Sequence, residues 1–206
     1  MRSRGWPDVQ DAFTQAATWF VATAPAGRGR LNEIGLGEWT IRDLVGHTSR
    51  ALLTVESYLN KAVPTIDVLS AVDYFRLAFA STGDPAAVAQ RGRDAGADLG
   101  AEPADAVAAI AERVIAQVCG AAEDAAVATP VGGMRLIDYL PTRTFELTVH
   151  TCDLAVALDQ PVAVPDAAAV ESLTVLGGLT TKAGYAASLL RAATGRRNLP
   201  DGFTVL

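Results

Sequence analysis

Two histidines occur in this chain, at positions 47 and 150. The second belongs to a polar line, Arg143, Glu146, His150 and Asp153, drawn through an otherwise apolar stretch. Spacings of three, four and three residues put all four side chains on one face of an α-helix. Burying such groups is costly unless they are paired or bound to a metal. Glu146 and His150, one turn apart, can grip one ion from a single helix, and His47 on a facing helix completes three ligands. Three protein ligands and one open position make a catalytic zinc site, and helix bundles build metal sites from facing side chains in this way. Two neutral imidazoles and one carboxylate leave a divalent ion with residual positive charge, which favours an anionic fourth ligand. The plainer alternative is structural. A Glu and a His four apart often share a local hydrogen bond, and a buried histidine is usually a satisfied polar group.

The element that must carry the line runs from about 136 to 158, about 34 Å long at 1.5 Å per residue. Leu140, Leu147, Leu154 and Leu158 form one apolar stripe, and Phe145, Val149 and Val156 another, so burial on both flanks is expected. Pro141 either kinks this helix or marks its start, and Pro161 and Pro165 end it. His47 needs its own helix. Thr40 is a good N-cap and Asp43 fits the third position of a capping box, with Trp39 and Leu44 as a hydrophobic staple. This helix reaches about Leu59, with Leu44, Leu52, Val55 and Leu59 inward and His47 on or beside that stripe.

Around these two, a helix is expected over 7–23, opened by Pro7, with Val9, Phe13, Ala16 and Phe20 at helical spacing. Arg2 and Arg4 before this run give it the outline of a weak signal peptide, but Asp8, Gln10 and Asp11 interrupt it, and it reads as the first core helix. A glycine-rich loop follows over 31–38. After a connector at 63–70 come a short helix over 71–80, a cap signal at Asp84-Pro85, and a helical pattern to Cys119. A break near Gly100 to Pro103 leaves one kinked helix or two, with Val107, Ile110, Val114 and Val118 facing the core. Residues 129–133 make a turn or small hairpin. A last helix over 166–194 ends at Gly195, before an extended tail at 203–206.

Half the residues are hydrophobic and few are aromatic, which favours closely packed helices. The length suits one core with a small appendage, here a bundle over 1–160 and a helical extension over 161–206. A net charge of −6 without a basic stripe excludes a nucleic-acid surface; Arg191, Arg196 and Arg197 are expected in solvent. No stretch is long and apolar enough to span a membrane. Cys119 and Cys152 read as two reduced, buried thiols of a cytoplasmic protein. Cys152, two residues from His150, turns to the far side of the helix and is neither ligand nor nucleophile. No phosphate loop, nucleophile elbow or carboxylate dyad is present.

The stretch Gly37-Glu-Trp-Thr-Ile-Arg-Asp-Leu-Val-Gly-His47 resembles the second-helix motif of the mycothiol-dependent maleylpyruvate isomerase family, part of the DinB-like superfamily. Met134-Arg-Leu-Ile-Asp-Tyr-Leu140 and Arg143-Thr-Phe-Glu-Leu-Thr-Val-His-Thr-Cys-Asp-Leu-Ala155 resemble its fourth-helix motif, and the ending from Gly195 to Leu206 is similar to that of its shorter members. Residues 60–125 match only in general character. The resemblance implies an all-α, up-down-down-up four-helix bundle with an additional C-terminal helix and short tail. It implies Zn²⁺ or another divalent metal on His47, Glu146 and His150, and mycothiol as co-substrate. Arg143 and Asp153 are expected to support the ligands, with a salt bridge between them favoured over Arg143 meeting an anionic substrate, and Asp43 to orient a histidine beyond its role as a cap.

The expected activity is then a metal-activated thiol acting on a small electrophile, by transfer or by isomerisation. The isomerase carries a larger second domain, whereas about 45 residues follow the central helix here, which shifts the expectation toward a related thiol-dependent transferase, monomeric or homodimeric. Two other readings stay open: a non-catalytic metal-stabilised bundle that binds a small molecule, and a hydrolase using zinc-bound water. Two histidines and a carboxylate also suit Fe(II).

Overall fold

In the computed structural model, which describes residues 5–81 and 85–206, the chain is a helical bundle with two small hairpins. Four long helices form the bundle: α1 (Trp6–Thr23), α2 (Ile41–Leu59), α5 (Pro103–Gly120) and α6 (Leu136–Ala157). Between α2 and α5 lie α3 (Ala71–Ser81) and α4 (Pro85–Asp98). After α6 come α7 (Asp166–Lys182) and α8 (Ala186–Ala193). The cap signal at Asp84 lies outside the described residues, but α4 begins at Pro85 as that signal implies.

Contacts along the helices fix their directions. The start of α6 meets the end of α2, where the Tyr139 hydroxyl donates to Thr54 Oγ1 at 3.1 Å. These two helices therefore run antiparallel. Gln10 near the start of α1 donates to the carbonyl of Val118 near the end of α5, so that pair is antiparallel too. Just past the end of α1, Arg30 reaches Asp159 just past the end of α6, so α1 and α6 run together. The result is the expected up-down-down-up bundle. One apolar core runs through it, with Phe13, Phe20, Leu44, Leu52, Val114, Leu140, Leu147 and Leu154 fully buried.

The two site-bearing helices start as their sequences dictate. In α2 the Asp43 N–H donates to Thr40 Oγ1 at 3.2 Å, while the Asp43 carboxylate accepts from Thr40 N–H at 3.0 Å and from its hydroxyl at 2.8 Å. In α6 the first N–H groups are satisfied by the chain before it: Leu136 donates to the Ala125 carbonyl and Ile137 to that of Glu123. The helix runs through Pro141 rather than starting there. A proline this near the first turn removes one hydrogen bond, which the buried flanks outweigh.

Several expectations need correcting. Residues 34–38, read as part of a glycine-rich loop, join Trp39 and Thr40 in a short hairpin, β1 (Ile34–Leu36) with β2 (Trp39–Thr40), turned at Gly37 with φ +57°. A second hairpin, β3 (Ala126–Thr129) with β4 (Gly132–Arg135), resolves the 129–133 ambiguity. The 85–119 stretch is two helices, parted at Gly100 with φ +75°. The last helix is also two. Its break lies at Gly184 (φ +80°), where Tyr185 N–H donates back to the Thr180 carbonyl and Gly184 N–H to that of Thr181, the hydrogen-bond pattern of a glycine-terminated helix. Cys119, expected inside, is exposed, because the inward positions of α5 are Val107, Ala111, Val114 and Val118, and position 119 points a quarter-turn away. Val156, placed on the second buried stripe of α6, is 66% exposed in the final turn. Among the described residues no helix is long and apolar enough to cross a membrane.

Candidate metal centre

His47, Glu146 and His150 come together. One ligand atom from each lies within 4.8 Å of the other two. His150 Nε2 is 3.3 Å from Glu146 Oε2, and the His47 and His150 rings sit 4.6 Å apart, nearly perpendicular at 88°. The antiparallel pairing of α2 and α6 produces this meeting, since His47 is early in one helix and His150 late in the other.

The histidines differ in their surroundings. His150 directs Nδ1 at Asp153 Oδ2, 3.2 Å away, which leaves Nε2 for the site. That arrangement is typical of metal-ligating histidines, whose second nitrogen is held by a carboxylate. His47 Nδ1 is buried without a hydrogen-bond partner, and the ring makes no other hydrogen bond among the described residues. Trp39 covers one face of this ring at 4.4 Å between centroids, held there by its own Nε1–H donated to the Ala89 carbonyl.

Charge is distributed to match. Burial, together with the charge of His150, lowers the His47 pKa to about 4, so this imidazole is neutral with its lone pair free. Burial opposes a charge on Glu146 as well, but the His150 hydrogen bond and the Arg143 guanidinium outweigh it and bring the carboxyl down to about 2. For His150 the penalty of burial is overcome by its hydrogen bonds to Asp153 and Glu146, which raise it to about 9. Between two carboxylates this position holds a positive charge. A proton supplies it in the bare protein, and a divalent ion would take that place. The orphaned nitrogen of His47, the Nε2 of His150 beside Glu146 and the ionised Glu146 thus fit a metal, which would replace the proton that His150 and Glu146 share.

Arg143 does not pair with Asp153, as expected from the sequence. It is buried, donates from Nε to Thr142 Oγ1, and lies over the rings of Tyr74 and Tyr139 at 5.4 and 5.2 Å. The reason is helical geometry: ten residues separate Arg143 from Asp153, about 15 Å along the axis, while Tyr139 is one turn away. Asp43 stays in its cap and orients neither histidine. Cys152 is half-buried, its thiol pKa raised by burial and by neighbouring Asp153. Sequence reasoning favoured Trp39 as a staple and missed its place against His47. The available signal was Gly37, a hairpin turn that folds Trp39 back over α2.

His47 and Glu146 open onto a cavity of about 410 Å³ between α2, α3, α4 and the β3–β4 turn. Tyr58, Tyr74, Phe75 and Phe79 give it an aromatic wall, and Arg50, Arg91 and Arg143 a cationic one. The arrangement can hold one divalent ion on three side chains and present it to a small molecule in that space.

No curated protein and no solved structure matches this chain. A family match spans 11–155, from α1 nearly to the end of α6, and includes all three convergent side chains. The chain therefore belongs to the family of the mycothiol maleylpyruvate isomerase N-terminal domain.

Proposed function

We propose that the chain is a metal-dependent enzyme that uses a low-molecular-weight thiol, mycothiol, to attack a small electrophile, by transfer or by isomerisation. The observation that carries this reading is the pairing of three convergent protein ligands with a cavity beside them. A purely structural site would close the ion with a fourth protein ligand and leave no cavity. His47, Glu146 and His150 would hold the ion, for which Zn²⁺ is the first choice. Bound there, it supplies Lewis acidity that lowers the pKa of a thiol entering the open position.

The chain's own residues do the rest. Asp153 fixes the ring of His150 through Nδ1 and keeps Nε2 directed at the site. Trp39 holds the plane of His47. Arg143 keeps Glu146 ionised and is itself steadied by two tyrosine rings. The aromatic wall excludes water from the electrophile. In transfer, the thiol sulfur bonds to carbon, the leaving group departs with its electron pair, and the thiol proton passes to solvent. In isomerisation the same thiol adds to a double bond, the new single bond rotates, and elimination returns the thiol. Such a thiol stays reduced in the cytoplasm, where we expect the protein to act as a monomer or homodimer.

The test is turnover of 1-chloro-2,4-dinitrobenzene by zinc-loaded protein. We expect thioether formation only when mycothiol is present, with release of chloride and a proton. X-ray absorption should then show a zinc–sulfur bond near ~2.3 Å on adding the thiol. Hydrolysis of esters or amides without thiol, with no zinc–sulfur bond, would replace this reading with a hydrolase.

A further inference from the structure

Of the arginines among the described residues, five have an answering acid, Arg42, Arg93, Arg143 and Arg196 donate to neutral oxygens, and Arg191 and Arg197 are exposed. Arg28, Arg30, Arg76, Arg113 and Arg135 each lie within 4.0 Å of a carboxylate. Arg50 and Arg91 do not. Arg50 is one turn beyond His47 on α2, and Arg91 is on α4. Both are half-buried, and both line the 410 Å³ cavity as well as an adjoining one of about 580 Å³. Neither has a carboxylate or hydrogen-bond partner among the described residues.

A guanidinium cannot shed its proton, and its planar fork of donors matches a carboxylate. Leaving two of them half-desolvated and unanswered in a protein of net charge −6 is costly unless a ligand supplies the anion. The surroundings agree. Among the described residues, Glu146 is the one acidic side chain lining the first cavity, against Arg50, Arg91 and Arg143. In the second, Asp94 accepts from Gln90 and Arg113 is taken by Glu56, while Asp98 stays beyond ion-pair distance of Arg91. The same cavity is lined by an apolar surface in which Phe75 and Phe79 stack at 5.8 Å, 16° from parallel.

We propose that Arg50 and Arg91 form a carboxylate subsite for the electrophilic substrate, whose apolar body lies on Tyr74, Phe75 and Phe79 with its reactive carbon toward His47 and Glu146. The carboxylate and its seat follow from the cavity alone; the reactive carbon rests on the thiol reading above.

Benzoate and benzamide share a shape and differ in charge, so their binding to the metal-free protein, followed by calorimetry, isolates the arginines from any ion. Benzoate is expected to bind at least about tenfold more tightly. Arg50→Gln and Arg91→Gln should each weaken benzoate about tenfold to hundredfold, the range for a hydrogen bond to a charged group, and leave benzamide unchanged. Equal affinity for the two probes in the unsubstituted protein overturns the subsite without relying on any variant. Unchanged benzoate binding in both variants does the same. With zinc and mycothiol present, 4-(chloromethyl)benzoate releases chloride and a proton as its thioether forms. Arg50→Gln should raise its KM and spare that of the corresponding amide. A rise confined to the KM for the thiol would overturn the assignment to the electrophile. Charge-selective binding without thiol-dependent turnover would support the subsite and remove the thiol reading.

Discussion

Replacing Gly46 by alanine should damage the site without touching a ligand. The α2 and α4 backbones meet at this point. A Cβ built on Gly46 would stand 2.2 Å from the nitrogen of Gly96, 2.4 Å from its Cα and 2.7 Å from the carbonyl carbon of Ala95. Ordinary contact begins at 3.4 Å, so the helices must part by over an ångström, and backbone atoms cannot swing aside as a side chain can. Overpacking costs about 1–3 kcal/mol, occasionally more, and a clash of main chain on main chain belongs at about 3 kcal/mol. For a chain of this size each kcal/mol moves the melting temperature by roughly 2–4 °C, so Gly46→Ala should melt about 6–12 °C lower. His47 is the next residue, and α4 carries the carbonyl that holds Trp39, so zinc affinity should fall as well. Thermal unfolding followed by circular dichroism, with and without zinc, measures both effects. Melting within about a degree of the unsubstituted protein, at unchanged zinc affinity, would refute the close approach of α2 and α4.

Gly177 is the opposite case: nothing lies within 4 Å of its Cβ position inside α7, and Gly177→Ala should stabilise by about 0.4–1 kcal/mol in the same melt. Thr40→Ala removes the cap of α2 and should cost about 1 kcal/mol, read from the denaturant midpoint. Asp153→Asn takes the carboxylate from His150 Nδ1 and should weaken zinc binding about tenfold to hundredfold, measured by competition with a chelating dye. The metal-free protein should contribute most stability from this site near pH 6.5. Toward alkaline pH the fold holds a proton on His150 up to about 9 that the unfolded chain, at 6.5, has released, so stability falls as pH rises between those values. Toward acid the unfolded chain protonates position 47 at 6.5 while the fold resists to about 4, and stability falls as pH drops. Chemical denaturation across pH 4–9 should trace this maximum, and His150→Ala should flatten its alkaline side.

The sequence was most informative where one period dominates. The Thr40–Asp43 cap and the inward stripe of α2 read directly, and so did the spacing that sets Glu146 below His150. It was also enough to pair His47 with them, because the chain has no other histidine. Boundaries set by a single residue were harder to see. Glycines 177 and 178 sit inside α7 undisturbed, while Gly184 ends it, since only the latter adopts positive φ with its neighbours donating backward. Partners of long side chains were harder still. Arg143 offered a carboxylate on its own face in Asp153, but the nearer tyrosines of α3 and α6 take it. The contact of Trp39 with His47 depends on a tight turn and on the glycine face of α4, where Gly92 leaves room for the indole. Neither feature has a periodic signature. Arg50 and Arg91 became visible only once the distribution of acids around them was known.

The most direct test of the account is metal content. Protein purified without added metal, then loaded with zinc and washed, should hold one ion per chain by mass spectrometry. His47→Ala, Glu146→Ala and His150→Ala should each lose most of it while Cys152→Ser keeps it. Full occupancy in all three alanine variants would contradict a metal centre built from these residues.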